Sequence, residues 1–138
     1  MGYAFSNRSL ERLRTCHQDL ILLMTEALMD PECPCDFTVL EGHRDQATQD
    51  RLHDEGKSQL MWPRSRHNQW PSMAVDVAPY INGKLSWDWA DYHPLADHIR
   101  VTWNRLQQDG RTTGQYKYTW GGTWQSFPDG PHHQIDPA

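Results

Sequence analysis

A chain of 138 residues with a formal net charge of −5 has the size of one compact domain. Hydrophobic residues make up 37% of it, which suffices for a packed core and is too many for a disordered chain. No basic stripe is present, so nucleic acid is not an expected partner. No apolar run approaches the ~20 residues needed to cross a bilayer, so we expect no membrane insertion.

The N-terminal segment and the cysteines both point to an intracellular start. The first residues, Met-Gly-Tyr-Ala-Phe-Ser, contain no basic region followed by an apolar block, so we expect no secretory signal and synthesis in the cytoplasm. An odd number of cysteines argues against a full disulfide framework. One proline separates Cys33 from Cys35, which is not zinc-knuckle spacing, and we predict reduced, partly buried thiols there and at Cys16.

The first half of the chain predicts two helical regions around a strand. Apolar side chains recur at three- and four-residue steps over residues 9–29, which predicts a helix with a possible break near His17. Residues 37–41 are β-branched and aromatic and predict a short strand. Asp45 is suited to cap a helix that continues through Glu55.

The second half predicts three strands and one long helix. A polar, proline-containing loop over residues 57–73 leads into a strand at residues 74–78. After a turn, residues 94–108 carry one apolar stripe and predict a helix. Alternating aromatic residues predict a strand over residues 116–120, and a last short strand is predicted at residues 132–135.

The order of these elements indicates the fold class. Helices and strands do not alternate regularly, which favours an α+β fold over a parallel α/β sheet. We therefore expect a small antiparallel sheet packed with helices in a single domain, residues 1–138.

Three short segments carry side chains that bind metals: a Ser-Arg-His sequence ending at His67, a strand containing Asp76, and an Asp-Gly-Pro-His sequence from Asp129 to His132. Zinc favours imidazole nitrogen and carboxylate oxygen, and a catalytic zinc needs three protein ligands and one open position. A carboxylate between two valines of a core strand is costly unless it is paired or metal-bound. Taken singly, each residue also has an ordinary interpretation: Asp76 can pair with an arginine or with backbone, and a loop histidine can be solvated.

Together, these segments resemble the zinc-binding pattern of the M15 peptidases. That family includes D-alanyl-D-alanine carboxypeptidases and dipeptidases, and the L-alanyl-D-glutamate endopeptidases that many bacteriophages use as endolysins. Residues 5–13, 36–44 and 120–124 are also similar to blocks of the endolysin branch, so the likeness covers nearly the whole chain.

The resemblance implies a role for each candidate residue. His67, Asp76 and His132 match the ligands of a single zinc ion, and Asp129 matches the general base. Arg44 matches an arginine near the reacting carbonyl, and Ser65 is expected to contact a zinc ligand or substrate. Each of these residues also has an ordinary alternative: a turn role for Asp129, a salt bridge with Glu41 or Asp45 for Arg44, and loop capping for Ser65.

Two features depart from the family pattern. Asp76 follows His67 by nine residues, a wider spacing than in the common form of the motif, and the glycine usually found between them is missing. The residue after His132 is His133 rather than an aromatic residue, which makes His133 a rival ligand. Strand alternation favours His132, because it points His133 to the opposite face.

The implied function is a zinc-dependent endolysin. By resemblance, it hydrolyses the L-alanyl-D-glutamate bond of peptidoglycan stem peptides with metal-activated water. It acts as a monomer, and reaches the wall after another phage protein permeabilises the membrane. The alternatives are a D-alanyl-D-alanine carboxypeptidase or dipeptidase of the same family, a non-catalytic zinc-stabilised wall-binding module, and an α+β domain whose histidines are incidental.

Overall fold

Helices and an antiparallel sheet make up the computed structural model, which describes residues 2–138. The predicted α+β class is confirmed. The helices are α1 Asn7–Leu13, α2 Gln18–Met29, α3 Gln46–Asp54 and α4 Trp89–Gln108, with 3₁₀ turns at Arg66–Asn68 and Gly121–Thr123. The strands are β1 Asp36–Glu41, β2 Ala74–Ile81, β3 Lys84–Leu85, β4 Tyr116–Trp120 and β5 His132–Pro137. Within the described chain, none of the helices has the length and apolarity that crossing a bilayer requires.

Strand β2 organises the sheet. The strand order is β1-β2-β5-β4, and the short β3 pairs with the far end of β2 through a two-residue turn. The turn residues Asn82 and Gly83 have φ angles of 53° and 82°, which suit a tight hairpin turn. In the β2–β5 pairing Asp76 lies opposite His132 and Val75 lies opposite His133.

The hydrophobic core lies on one face of this sheet. Val75 and Val77 of β2 are fully buried and pack with Ile135 of β5 against the apolar stripes of α2 and α4. Because side chains alternate along a strand, the same packing turns Asp76 of β2 towards the opposite face. The core therefore decides which side chains are available to a polar site.

Two helix boundaries differ from the sequence prediction. The first helical region is split into α1 and α2, and His17 at the break caps α2 by accepting a hydrogen bond from the Asp19 N–H at 3.0 Å. Helix α4 starts at Trp89 rather than at Pro94, because the Asp88 carboxylate accepts from the Ala90 N–H at 3.0 Å and caps it. Pro94 is tolerated inside the helix on its exposed side.

The cysteines are free thiols, as predicted. Cys16 and Cys33 are buried and Cys35 is half-buried. Burial raises the pKa of Cys16 to about 12 and the pKa of Cys33 and Cys35 to about 11. All three are therefore protonated at neutral pH and poorly nucleophilic.

Gly42 lets the end of β1 lie against α1. A Cβ atom at this position would overlap the carbonyl oxygen of Arg12 and the hydroxyl of Thr15. The same Thr15 hydroxyl accepts from the His43 N–H at 2.7 Å, so the contact is fixed by a hydrogen bond. A side chain here must force the two elements apart.

We predict that Gly42→Ala lowers the free energy of unfolding by about 1–3 kcal/mol, the usual cost of overpacking a tight contact. Urea denaturation of the variant and the wild type, followed by circular dichroism, measures the difference. A variant within about 0.5 kcal/mol of the wild type, the range of neutral surface changes, would contradict the close approach.

Candidate metal centre

His67, Asp76 and His132 converge at the polar face of the sheet. The β2–β5 register places His132 beside Asp76, and His67 reaches them from the 3₁₀ turn Arg66–Asn68. Asp76 Oδ1 lies 3.1 Å from His67 Nε2 and 3.3 Å from His132 Nδ1. One ligand atom from each residue lies within 4.8 Å of the other two, close enough to hold one metal ion.

Hydrogen bonds on the far side of each imidazole fix its tautomer. His67 Nδ1 lies 2.7 Å from the Gly42 carbonyl oxygen, and His132 Nε2 lies 2.8 Å from Gln134 Oε1. Because both oxygens can only accept, these nitrogens carry the protons and the nitrogens facing Asp76 present lone pairs. Two lone pairs and a carboxylate facing one another require a cation, so these residues fit a metal ion.

The electrostatics of the cluster agree with this fit. Burial alone raises the pKa of Asp76, but His67 and His132 hold it well below its ordinary value. Burial lowers the pKa of His132, yet the Asp76 carboxylate raises it overall. The centre therefore holds an anionic carboxylate between two imidazoles that favour positive charge beside it.

The wide spacing between His67 and Asp76 does not separate them. The inserted loop is tied at its end, where the Ser72 N–H donates to the Thr15 carbonyl at 2.8 Å and the Ser72 carbonyl accepts from the His17 N–H at 2.9 Å. The loop therefore bulges outward while both ligands return to one point.

His133 faces the core instead of the metal centre. Its ring stacks on Tyr118, whose hydroxyl lies 2.6 Å from Nδ1. Burial lowers the pKa of His133 to about 3, so the ring is neutral. The structure brings His132 and not His133 to the other two candidate ligands.

Ser65 and Arg44 both support the loop that carries His67. The Ser65 hydroxyl oxygen accepts from the His67 N–H at 3.2 Å, so its capping role is present. Ser65 also lines the groove beside the cluster. The Arg44 N–H donates to the His67 carbonyl at 2.8 Å, which ties the 3₁₀ turn to the segment after β1.

The Arg44 side chain is buried and held in one orientation. Its guanidinium donates to Glu41 Oε1 at 2.8 Å and to Gln49 Oε1 at 2.8 Å. The salt bridge with Glu41 considered from sequence is therefore present. The same guanidinium lies 3.8 Å from Asp76 Oδ2, so it also borders the metal centre.

Asp129 lies in the loop before β5, next to His132. Its backbone is fixed at both ends, because its N–H donates to the Gly121 carbonyl at 3.0 Å and its carbonyl accepts from the His132 N–H at 3.2 Å. Burial raises the pKa of Asp129, and the charge of Asp76 raises it further. The carboxyl group therefore takes up a proton more readily than an exposed aspartate does.

A groove of about 230 Å³ opens over these residues. Arg44, His67, Asp129 and His132 all line it, so the two candidate histidine ligands, the candidate base and the guanidinium face one space. Lys57 and Arg66 add further positive charge, and aromatic side chains complete its wall.

The sequence reasoning missed the acceptors behind the histidines. Gln134 holds His132, and its own amide donates to Asp136 Oδ2 at 2.9 Å. Arg66 donates to the other oxygen of Asp136 at 2.6 Å, which completes a chain of hydrogen bonds. Alternation along β5 places His132, Gln134 and Asp136 on one face, and that signal was available from the sequence.

A centre of two histidines and one aspartate, with a proton-accepting carboxylate and a guanidinium in the same groove, is characteristic of metal-dependent hydrolases. Comparison with known proteins agrees with this class. The sequence matches the family of phage L-alanyl-D-glutamate peptidases over residues 1–136, and the chain belongs to that family.

Two relatives match almost the whole chain. The L-alanyl-D-glutamate peptidase of Escherichia phage T5 is 29% identical over 132 residues, which cover 94% of this chain and 87% of the relative. The crystal structure of the Serratia marcescens L-Ala D-Glu endopeptidase ChiX is similar with a TM-score of 0.76 and 35% identity, covering 96% of this chain and 89% of that one. The likeness to phage L-alanyl-D-glutamate peptidases expected from sequence is confirmed.

We predict that Gln134→Ala weakens metal binding about 10- to 100-fold, because His132 loses the acceptor that fixes its tautomer. Titration of the metal-free protein with Co²⁺, followed by visible absorption, gives the dissociation constant. Gln108→Ala, at the exposed end of α4, is the matched control. Equal Co²⁺ affinity in the two variants would show that Gln134 does not orient His132.

Proposed function

We propose that this chain is a zinc-dependent peptidoglycan endopeptidase that hydrolyses the L-alanyl-D-glutamate bond of cell-wall stem peptides. The observation that carries the proposal is the convergence of His67, Asp76 and His132, with both histidines and Asp129 lining one groove. The family match, which extends along nearly the whole chain, also supports the proposal.

The donor set favours zinc as the cofactor. Two imidazole nitrogens and one carboxylate oxygen are ligands of catalytic zinc sites, whereas calcium and magnesium prefer oxygen ligands alone. When bound, Zn²⁺ lowers the pKa of a water molecule and polarises a carbonyl group. His67, Asp76 and His132 would hold the ion, and the acceptors Gly42 and Gln134 would orient the two rings.

Asp129 is assigned the role of general base. Its carboxylate takes the proton of the attacking water and then donates it to the leaving amine of the D-glutamyl residue. The raised pKa of Asp129 supports this assignment, because it lets the carboxylate take up a proton more readily than an ordinary aspartate does. Its turn position also holds it beside His132.

Arg44 and Ser65 are assigned contacts with the substrate. The guanidinium of Arg44 stabilises the negative charge that develops on the carbonyl oxygen, and its bonds to Glu41 and Gln49 pre-organise it for that task. The Ser65 hydroxyl accepts from the His67 N–H and can donate its own proton to a substrate carbonyl in the groove.

The proposal includes a cellular setting. The chain is made in the cytoplasm of an infected cell and acts as a monomer on the wall after the membrane is permeabilised. Its macromolecular substrate is peptidoglycan, and neither nucleic acid nor stable membrane insertion is part of its function. The phage T5 relative and the acidic charge balance support this setting.

We predict that Asp129→Ala cuts peptidoglycan about 10²- to 10⁴-fold more slowly than the wild type, because the water loses its proton acceptor. The assay is mass spectrometry of released ends, where new N-terminal D-glutamate or D-isoglutamine reports the cleaved bond. Zinc-stripped protein should also be inactive and recover with added Zn²⁺. Asp54→Ala, which removes an exposed carboxylate at the end of α3, should retain full activity.

The products separate the alternatives. Release of free D-alanine would move the enzyme to the carboxypeptidase or dipeptidase specificity. Full-rate cleavage by Asp129→Ala would remove the assigned base. Failure of folded, zinc-loaded protein to cut several wall types would leave a zinc-stabilised wall-binding module.

We predict that Arg44→Ala lowers kcat about 10²-fold, as loss of one pre-organised oxyanion partner does. Arg51→Ala is the control, because that arginine is exposed on α3 and pairs only with Glu55 among the described residues. Thermal melting of both variants separates a catalytic loss from unfolding. A kcat within twofold of the wild type in folded Arg44→Ala would contradict the assignment.

A further inference from the structure

A second pocket, of about 220 Å³, also borders Asp129. We call it the aromatic pocket; Trp87, Trp89, Tyr92 and residues 128–131 line it. Asp129 also lines the groove over the metal centre, which we call the catalytic groove. No cationic side chain is among its lining residues.

Two tryptophans of this pocket are exposed to solvent. Trp87 is 64% exposed and Trp89 is 43% exposed. The ring of Trp89 lies 6.1 Å from that of Trp120 and 5.7 Å from that of His93, so it is held by neighbouring rings. Rigid aromatic surface beside a catalytic residue is a feature of ligand sites, since leaving it in water is unfavourable.

Tyr92 forms another wall of the pocket. Its side chain is buried, at 4% exposure, and its hydroxyl has no hydrogen-bond partner in the described part of the chain. A buried hydroxyl without a partner is costly. The hydroxyl oxygen is itself buried, so Tyr92 contributes its ring to the wall of the pocket.

The two pockets differ in charge in the way that the two ends of the proposed substrate differ. Arg44, Lys57 and Arg66 line the catalytic groove. On the D-glutamyl side of the scissile bond, the stem peptide carries free carboxylates. On the L-alanyl side it carries none, because the alanine amine is joined to the lactyl group of an N-acetylated amino sugar.

Chain length places that sugar close to the reacting carbonyl. One alanine and the lactyl group, about two residue lengths, separate the carbonyl from the sugar ring, a reach of about 7 Å. The sugar must therefore rest on the surface next to Asp129.

We propose that the aromatic pocket binds the N-acetylated amino sugar that carries the stem peptide, while the D-glutamyl side of the peptide lies in the catalytic groove. The apolar C–H face of the sugar packs on the rings of Trp87 and Trp89. This arrangement fixes the direction of the peptide across Asp129. The inference rests on the proposed endopeptidase function and names the part of the substrate that selects for peptidoglycan.

The test compares two substrates in zinc-loaded protein. One is a disaccharide muropeptide, and the other is the same peptide with an acetyl group in place of the sugar. The measured quantity is the ratio of their kcat/KM values. We expect a ratio of about tenfold or more in favour of the muropeptide, and a fall towards one in Trp87→Ala and Trp89→Ala.

Trp70→Ala is the matched control. Trp70 is 70% exposed, contacts His43 and lines neither pocket, so its loss should leave the ratio unchanged. As a measurement that needs no variant, the disaccharide joined to L-alanine should inhibit wild-type cleavage of the acetylated peptide more strongly than acetyl-L-alanine does.

The outcomes distinguish this inference from the function on which it rests. Cleavage of both substrates with equal kcat/KM, or an unchanged ratio in folded Trp87→Ala and Trp89→Ala, would overturn the sugar site and leave the endopeptidase intact. Cleavage of neither substrate by folded, zinc-loaded wild type would overturn the proposed function, and the sugar site with it.

Discussion

The antiparallel register of β2 and β5 is the constraint on which the candidate site depends. It pairs Asp76 with His132, and it does so because the neighbouring Val75, His133 and Ile135 face the core. A slip of one residue would exchange the buried and polar faces and bring His133 in place of His132. Packing on the core face of the sheet therefore determines which side chains lie on the polar face. His133 is buried and neutral because it lies on the core face.

Backbone and amide oxygens orient the side chains of the candidate metal ligands. The carbonyl of Gly42 holds His67, and it reaches that position because the glycine allows β1 to lie against α1. Gln134 does the same for His132. Each ring is fixed from behind, so its free nitrogen faces Asp76. The orientation is built into the fold, which reduces the reorganisation needed when a cation binds.

Much of the architecture could be predicted from the sequence, because it follows from local patterns. Alternation along the strand containing Asp76 gave its two faces correctly, and the Asp45 cap marked the start of α3. The start of α4 was misplaced because a proline such as Pro94 is usual at the start of a helix and not inside it. Here the Asp88 cap lies before Pro94, which is inside the helix. The aromatic pocket could not be predicted, since it exists only where the segment before α4 meets the loop before β5. The site residues themselves were reached through resemblance rather than through pattern.

The positions of the three candidate ligands along the chain also bear on the stability of the fold. His132 comes from a segment far along the chain from His67 and Asp76, which lie nine residues apart, and this chain has free cysteines rather than a disulfide in its described part. A cation bound to all three acts as a removable cross-link, and holding such distant segments together costs chain entropy that the ion offsets. Because an ion that binds only the folded form stabilises it by mass action, the available metal concentration would then affect the resistance of the domain to unfolding. A chelator would then loosen the junction of β2 and β5 as well as the active site.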